Sequence, residues 1–173
     1  MPTLAFGKKV SPEFRAKVLK VVKELGWRES QASDLMACMA FESAETFSPS
    51  IKNAAGSGAT GLIQFMPATA RGLNTTTEAL ANMTAVDQLD YVKAYFKPYA
   101  RRINCIEDMY MAILMPKYIS SPLDTTIFSS GVAYRQNSGL DKNKDGIITK
   151  IEAASKVVQK LERGLGSAYA LSW

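Results

Sequence analysis

Histidine is absent from the chain. Zinc sites of the common imidazole-ligated types need it, and so do Ser/His and Cys/His nucleophilic pairs. Zinc peptidases and zinc amidases of that kind are therefore excluded, together with those nucleophilic catalysts. Cysteine is scarce, with two in all. Cys38 sits in the apolar run 35–41 and Cys105 precedes another helix-like stretch, so both read as reduced, packed thiols. No apolar run reaches 18 residues, so no membrane insertion is expected. Residues 1–10 lack an apolar core followed by a small-residue cleavage site, so no secretory signal peptide is visible. Strand-like alternation is nearly missing, as are internal repeats and linkers rich in Pro, Gly or Ser.

Helical signals fill the space that these absences leave. The chain has 173 residues, 47% of them hydrophobic, enough for one domain with a sizeable core. Ser11-Pro12-Glu13 combines an N-cap, a first-position proline and a first-turn acid. Phe14, Val18, Val21, Val22 and Leu25 then recur at helical spacing until Gly26. Ser30 is the expected cap of a second helix whose apolar residues Leu35, Met36, Met39 and Ala40 run up to Glu42. Residues 67–71 read as a short helix start. Thr84 with Asp87 opens a longer helix through Leu89, Val92 and Phe96, stopped by Pro98. The Met-rich run 106–115 ends at Pro116 and reads as packed core. Residues 129–137 form one more short helix, and Thr149-Lys150-Ile151-Glu152 is a capping-box pattern opening a last helix to about Arg163. The expectation is a mainly α fold of seven or so helices around one core, spanning 1–173 as a single domain.

The formal net charge is +5, which favours an anionic partner such as nucleic acid, anionic lipid or an acidic cell-wall polymer. Lysines and arginines are scattered, with no basic run interleaved with aromatics, so nucleic acid is not the expected partner.

The segment "DKNKDGIITKIE", residues 141–152, has the spacing of an EF-hand calcium loop. Asp141, Asn143 and Asp145 supply oxygens at loop positions one, three and five, and Gly146 allows the sharp turn at six. Ile147 offers its carbonyl at seven, Thr149 sits at nine, and Glu152 can bind through both oxygens at twelve. Apolar Ile148 tucks the loop onto the core. Sensor loops come in pairs and only one is found here, so a Ca2+ ion would act as a structural staple. Lys142, Lys144 and Lys150 beside it should weaken affinity.

A second stretch carries chemistry. Glu42 ends its helix-like run and is followed by a small-residue loop that returns through Gln64. A carboxylate at a helix C-terminus feels the negative end of the macrodipole. With apolar neighbours such as Phe41 and Phe65 its pKa rises, which suits a general acid. The glycine-rich segment lets an extended ligand approach the backbone, and an amide such as Gln64 can orient a polar group.

Glu42-Ser43, then Phe47 and Pro49, then "GATGLIQFMPATA" (58–70) resembles the signature of the soluble lytic transglycosylases, which share the lysozyme-like fold of goose-type lysozyme. Small bacteriophage lysins and virion-associated muralytic proteins resemble the chain over more of its length, including versions with an EF-hand-like loop after a segment similar to Ala133-Tyr134-Arg135-Gln136-Asn137. The resemblance implies a lysozyme-like fold and cleavage of the β-1,4 bond between N-acetylmuramic acid and N-acetylglucosamine in peptidoglycan. Glu42 matches the catalytic acid, and Gln64 with Phe65 matches the substrate cleft. A monomer acting on glycan strands is implied, made in a host cytoplasm and released later to the periplasm or cell wall, or carried in a virion.

The chain departs from the family where Ala-Tyr-Asn-Ala-Gly is usual. Here residues 109–118 read "MYMAILMPKY". Tyr110, Tyr118 and Tyr134 are the three candidates for the tyrosine that contacts the acid. Glu45, three residues after Glu42, invites a two-carboxylate hydrolase, although a surface role suits it better. A calcium-stabilised wall-binding module without catalysis is the reading from another class.

Overall fold

The structure, a computed structural model, describes residues 2–173. Helix α1 (Pro12–Glu24) begins as expected, with Ser11 Oγ accepting from the Phe14 amide at 3.1 Å and Pro12 in the first turn. Its buried stripe is Phe14, Val18, Val21 and Val22. Helix α2 (Gln31–Glu42) has no comparable stripe, because residues from Gln31 through Ala40 are buried on nearly every side. Its start differs from expectation, since the Ser30 side chain caps nothing. The longer Gln31 side chain does the work: Oε1 accepts from the Arg28 amide at 3.0 Å, and Nε2 donates to the Ile103 carbonyl at 3.2 Å.

Helices α3 (Pro67–Gly72), α4 (Thr77–Asn82) and α5 (Ala85–Phe96) follow. Helix α4 was not expected. Six residues with only Thr77 and Leu80 buried are too short to display a period, although Thr76 caps the Ala79 amide. Helices α6 (Ile106–Leu114), α7 (Gly131–Gln136) and α8 (Lys150–Gly164) complete the set, with short 3₁₀ turns between. The capping box at Thr149 and Glu152 is present in both directions.

Two short antiparallel pairs add to this helical frame. β1 (Thr3–Leu4) pairs with β4 (Leu171–Ser172), and β2 (Thr126–Phe128) pairs with β3 (Ile148–Thr149). Strands of two or three residues cannot show alternation in a sequence, which is why none was expected. One hydrophobic core joins them all. Helix α2 runs through it, packed against α8, α6, α1 and β1. The result is a mainly α-helical single globular domain with two small antiparallel strand pairs.

One ion pair lies inside. Lys150, 1% exposed, places Nζ 2.6 Å from Asp108 Oδ1, 2.8 Å from the Ser121 carbonyl and 3.1 Å from the Tyr118 carbonyl. Asp108 Oδ1 also accepts from the Ser120 amide at 2.8 Å. All three ammonium protons are satisfied, and α8 is tied to α6 and to the turn after it. Removing one partner strands the other in a dry site. Asp108→Asn is expected to lower unfolding free energy by about 3–5 kcal/mol. Asp90→Asn, which breaks an exposed pair with Lys17, should cost less than about 1 kcal/mol. Parallel urea titrations of the two variants check the contrast.

Candidate active site and metal centre

Glu42 is the last residue of α2, and the chain turns away immediately after it. Ser43 is fully buried, and its Oγ accepts from the Phe47 amide at 3.0 Å. Ala44 (φ 52°), Glu45 (φ 63°) and Phe47 (φ 49°) are all left-handed, at roughly 1–3 kcal/mol each for non-glycine residues. Five residues thus reverse the chain at a conformational cost that surrounding contacts must offset.

The Glu42 carboxylate is only partly exposed. No hydrogen bond or charged neighbour enters into the shift of its pKa. Burial alone pushes its pKa from 4.5 up to about 7. Tyr110 lies within reach of its charge: the Tyr110 ring meets Phe41 edge-on at 5.7 Å between centroids, and its hydroxyl is pushed well up by burial, then by the Glu42 charge. Tyr95 is likewise raised to about 12, by burial first, with Tyr99 and Glu42 contributing.

The other two tyrosines lie elsewhere. Tyr118 stacks under Lys117 and gives its carbonyl to Lys150. Tyr134 donates to Asp141 Oδ2 at 2.6 Å, which attaches it to the 141–152 loop. Of the three candidates, Tyr110 is the one beside Glu42.

The loop after the turn is pinned from within. Isolated bridges join Lys52 to Thr60 and Thr60 to Phe65. Gln64 has φ 54°, and its Nε2 donates to the Ile51 carbonyl at 3.2 Å and the Gly61 carbonyl at 3.1 Å. Its amide nitrogen therefore fastens the loop. Phe65 is 2% exposed and packs edge-on against Tyr95, so it supports the cleft from beneath.

Gln88, which no sequence pattern singles out, holds the same loop from α5. Its Oε1 accepts from the Leu62 amide at 2.8 Å, and Nε2 donates to the carbonyls of Pro49 and Leu80. Gly61 must be glycine, because a Cβ there would run into the Gln88 amide. A cleft of about 40 Å³ lies between Ile63, Gln64, Met66, Tyr95 and Ile113. It shares Thr69 and Tyr95 with a groove of about 460 Å³ that reaches Leu73, Tyr99 and Pro116. Tyr95, also missed by the sequence reading, is the wall common to both.

Glu45 does not share this site. Because α2 stops at Glu42, Glu45 leaves the helix face and meets basic residues instead. Arg163 Nε approaches Oε1 at 2.6 Å and Nη2 approaches Oε2 at 3.2 Å, with Lys160 at 3.1 Å and Lys9 at 3.9 Å. The Arg163 hydrogen bonds lead in drawing its pKa down to about 2. Within four residues the chain holds one carboxyl that keeps its proton near neutrality and one that releases it in strong acid.

The loop 141–152 brings together the carboxylates of three of the six residues that its spacing suggests. Single ligand atoms of Asp141, Asp145 and Glu152 lie within 4.8 Å of one another. Amides turn inward onto the side chains: Gly146 to Asp141 Oδ2 at 3.0 Å, Ile147 to Asp145 Oδ1 at 2.9 Å, and Asp145 to Asn143 Oδ1 at 3.3 Å. Gly146 has φ 84°, as the turn requires. Ile148 is fully buried, and its strand pairs with β2. Lys150 does not crowd the acidic cluster as the sequence suggested, since its ammonium is committed to Asp108. The cluster could bind a metal ion, and its all-oxygen donor set suits a hard cation. Both cysteines are free thiols, Cys38 buried and Cys105 partly so.

No helix among the described residues is long and apolar enough to cross a membrane. No protein family, curated protein or solved structure matches the chain.

A carboxyl whose folded pKa lies above its unfolded value favours folding least where it must ionise. Below pH 4.5 Glu42 is protonated in both states and contributes nothing. Between 4.5 and about 7 the unfolded chain ionises first, so stability falls as pH rises, by about 3 kcal/mol once above 7. Glu42→Gln should therefore match the parent at pH 4 and exceed it by up to that amount at pH 8. Asp34, which burial raises to about 6, adds the same sign in both proteins and cancels. Chemical denaturation at the two pH values tests this, and a difference independent of pH would contradict the burial of the Glu42 carboxyl.

Proposed function

We propose that the protein cleaves the β-1,4 bond between N-acetylmuramic acid and N-acetylglucosamine in peptidoglycan, as a lytic transglycosylase with a lysozyme-like fold. The observation that carries this reading is the Glu42 carboxyl. It ends a buried helix and keeps its proton to about pH 7 beside Tyr110. Such a group can protonate the glycosidic oxygen as the bond breaks. The resulting carboxylate then takes the proton from the muramic C6 hydroxyl, whose oxygen closes a 1,6-anhydro ring, and Glu42 returns to its starting form. Gln64 Oε1 and the walls at Tyr95 and Tyr110 would hold the sugar.

Withdrawal of Glu45 into its basic cluster favours this route over a two-carboxylate hydrolase. The acetamido group of the substrate would then stabilise the cationic centre that a second acid stabilises elsewhere. The positive charge suits an anionic wall polymer, and phage-encoded wall lysis, free or virion-borne, is the setting that the motif resemblance supplies. Mass spectrometry of digested peptidoglycan checks the reaction. Products ending in 1,6-anhydromuramic acid are expected from the parent and not from Glu42→Gln. Reducing ends would mean that water completes the reaction, and no products at all would favour a wall-binding module.

We infer that the loop at 141–152 takes Ca2+ through Asp141, Asn143, Asp145, the Ile147 carbonyl, Thr149 and Glu152. When bound, the ion would neutralise clustered carboxylates and brace the entry to α8, with no part in bond cleavage. At a hundredfold excess over Kd, binding only to the folded state stabilises by about 2.7 kcal/mol. CaCl2 should raise Tm of the parent, and chelation should lower it again. Asp141→Ala should abolish the increment.

A further inference from the structure

Glu45 is more heavily engaged than a surface acid needs to be. Three cations from two distant parts of the chain meet it: Lys9 just after the β1 segment, and Lys160 and Arg163 in the last turns of α8. Arg163 is itself fixed by the Tyr169 hydroxyl at 2.7 Å and lies over the Tyr169 ring at 4.6 Å. The residue so gripped is the centre of the left-handed turn that begins one residue after Glu42. Its own amide donates to the Ala40 carbonyl at 2.7 Å, so the turn closes directly onto the last turn of α2.

We propose that Glu45 is a positioning residue, which through Arg163, Lys160 and Lys9 holds the 43–47 turn in its left-handed form and so fixes where α2 stops and where the Glu42 carboxyl sits. The alternative backbone state is the ordinary one. Were residues 44 and 45 to relax into right-handed geometry, α2 would run on, and Glu45 would stand at i+3 on the same side as Glu42. The acid would then gain a like-charged neighbour and a more solvated end of helix. The clamp prevents both. Glu45 makes no contribution to the shift of Glu42 in the observed structure, although only two residues separate them. The titratable groups that feel the Glu42 charge are Cys38 on its own helix, Tyr95 from α5 and Tyr110 from α6.

The inference rests on the proposed role of Glu42 as the acid, so one readout is independent of activity. Glu45→Gln, Arg163→Gln and Lys160→Gln are compared with the parent in two measurements: carboxyl ¹³C NMR titration of Glu42, and kinetics on soluble glycan strands. The Glu42 midpoint should move away from about 7 in Glu45→Gln and Arg163→Gln. The alkaline limb of the pH–rate profile, where Glu42 loses its proton, should move with it, while kcat falls roughly 10- to 100-fold and KM holds. The double variant Glu45→Arg with Arg163→Glu should recover part of both. If the single variants merely lower Tm and leave the Glu42 midpoint and kcat as in the parent, Glu45 is a structural ion pair and the proposal is overturned. If the parent shows no glycan cleavage, the proposed activity fails, while the midpoint still decides whether Glu45 positions Glu42. Should Glu45→Gln fail to fold, Lys160→Gln and Arg163→Gln, which each remove one donor, carry the same decision.

Discussion

Burial of α2 on nearly all sides is the constraint around which the other elements are arranged. A helix with a polar face needs cover on one side only, whereas this one needs a ring of partners, and α1, α6, α8 and β1 supply it. Leu35, Met36 and Met39 are wholly excluded from water, each worth about 1.5–3 kcal/mol relative to an exposed side chain. The same dryness extends to the last residue. Glu42 inherits the low-dielectric surroundings of the helix that carries it, and its unusual affinity for a proton follows from that inheritance without any neighbouring charge.

Electrostatics then divides neighbouring carboxyls into different tasks. Glu42 is largely buried within reach of Tyr95 and Tyr110, while Glu45 faces an arginine and two lysines. The geometric cause is a turn of three left-handed non-glycine residues, which sends successive side chains in opposed directions. The buried Lys150–Asp108 pair is of another kind. It joins the start of α8 to α6, so the helix that opens at the acidic loop and the helix that carries Tyr110 are held in fixed relation.

Features specified by a few consecutive residues were legible in the sequence. The caps at Ser11, Thr84 and Thr149, the clustered carboxylates of Asp141, Asp145 and Glu152 and the position of Glu42 at a helix end all depend on local spacing, and these are found. What depends on distant partners was not legible. Ser30 looked like a cap, yet Gln31 has reach enough to bridge Arg28 and Ile103, and no local rule anticipates Ile103. Gln88 and Tyr95 reach the 59–65 loop, and Arg163 reaches Glu45, from segments between 26 and 118 positions away, and only the fold brings them in. The choice of Tyr110 over Tyr118 and Tyr134 was open for the same reason.

The pairing of β1 with β4 has a bearing on the order in which the molecule can be assembled. Thr3 meets Ser172 across 169 positions, the Phe6 amide bonds the Gly164 carbonyl, and Leu4, Ala5 and Phe6 are wholly enclosed. On a translating ribosome the apolar residues 4–6 emerge well before the end of α8 and the strand beyond it, and must wait for both. Contacts of such long range close late and slowly. During that interval the apolar segment 4–6 and one flank of α2 stay uncovered, a natural target for a chaperone or for misassociation between nascent chains.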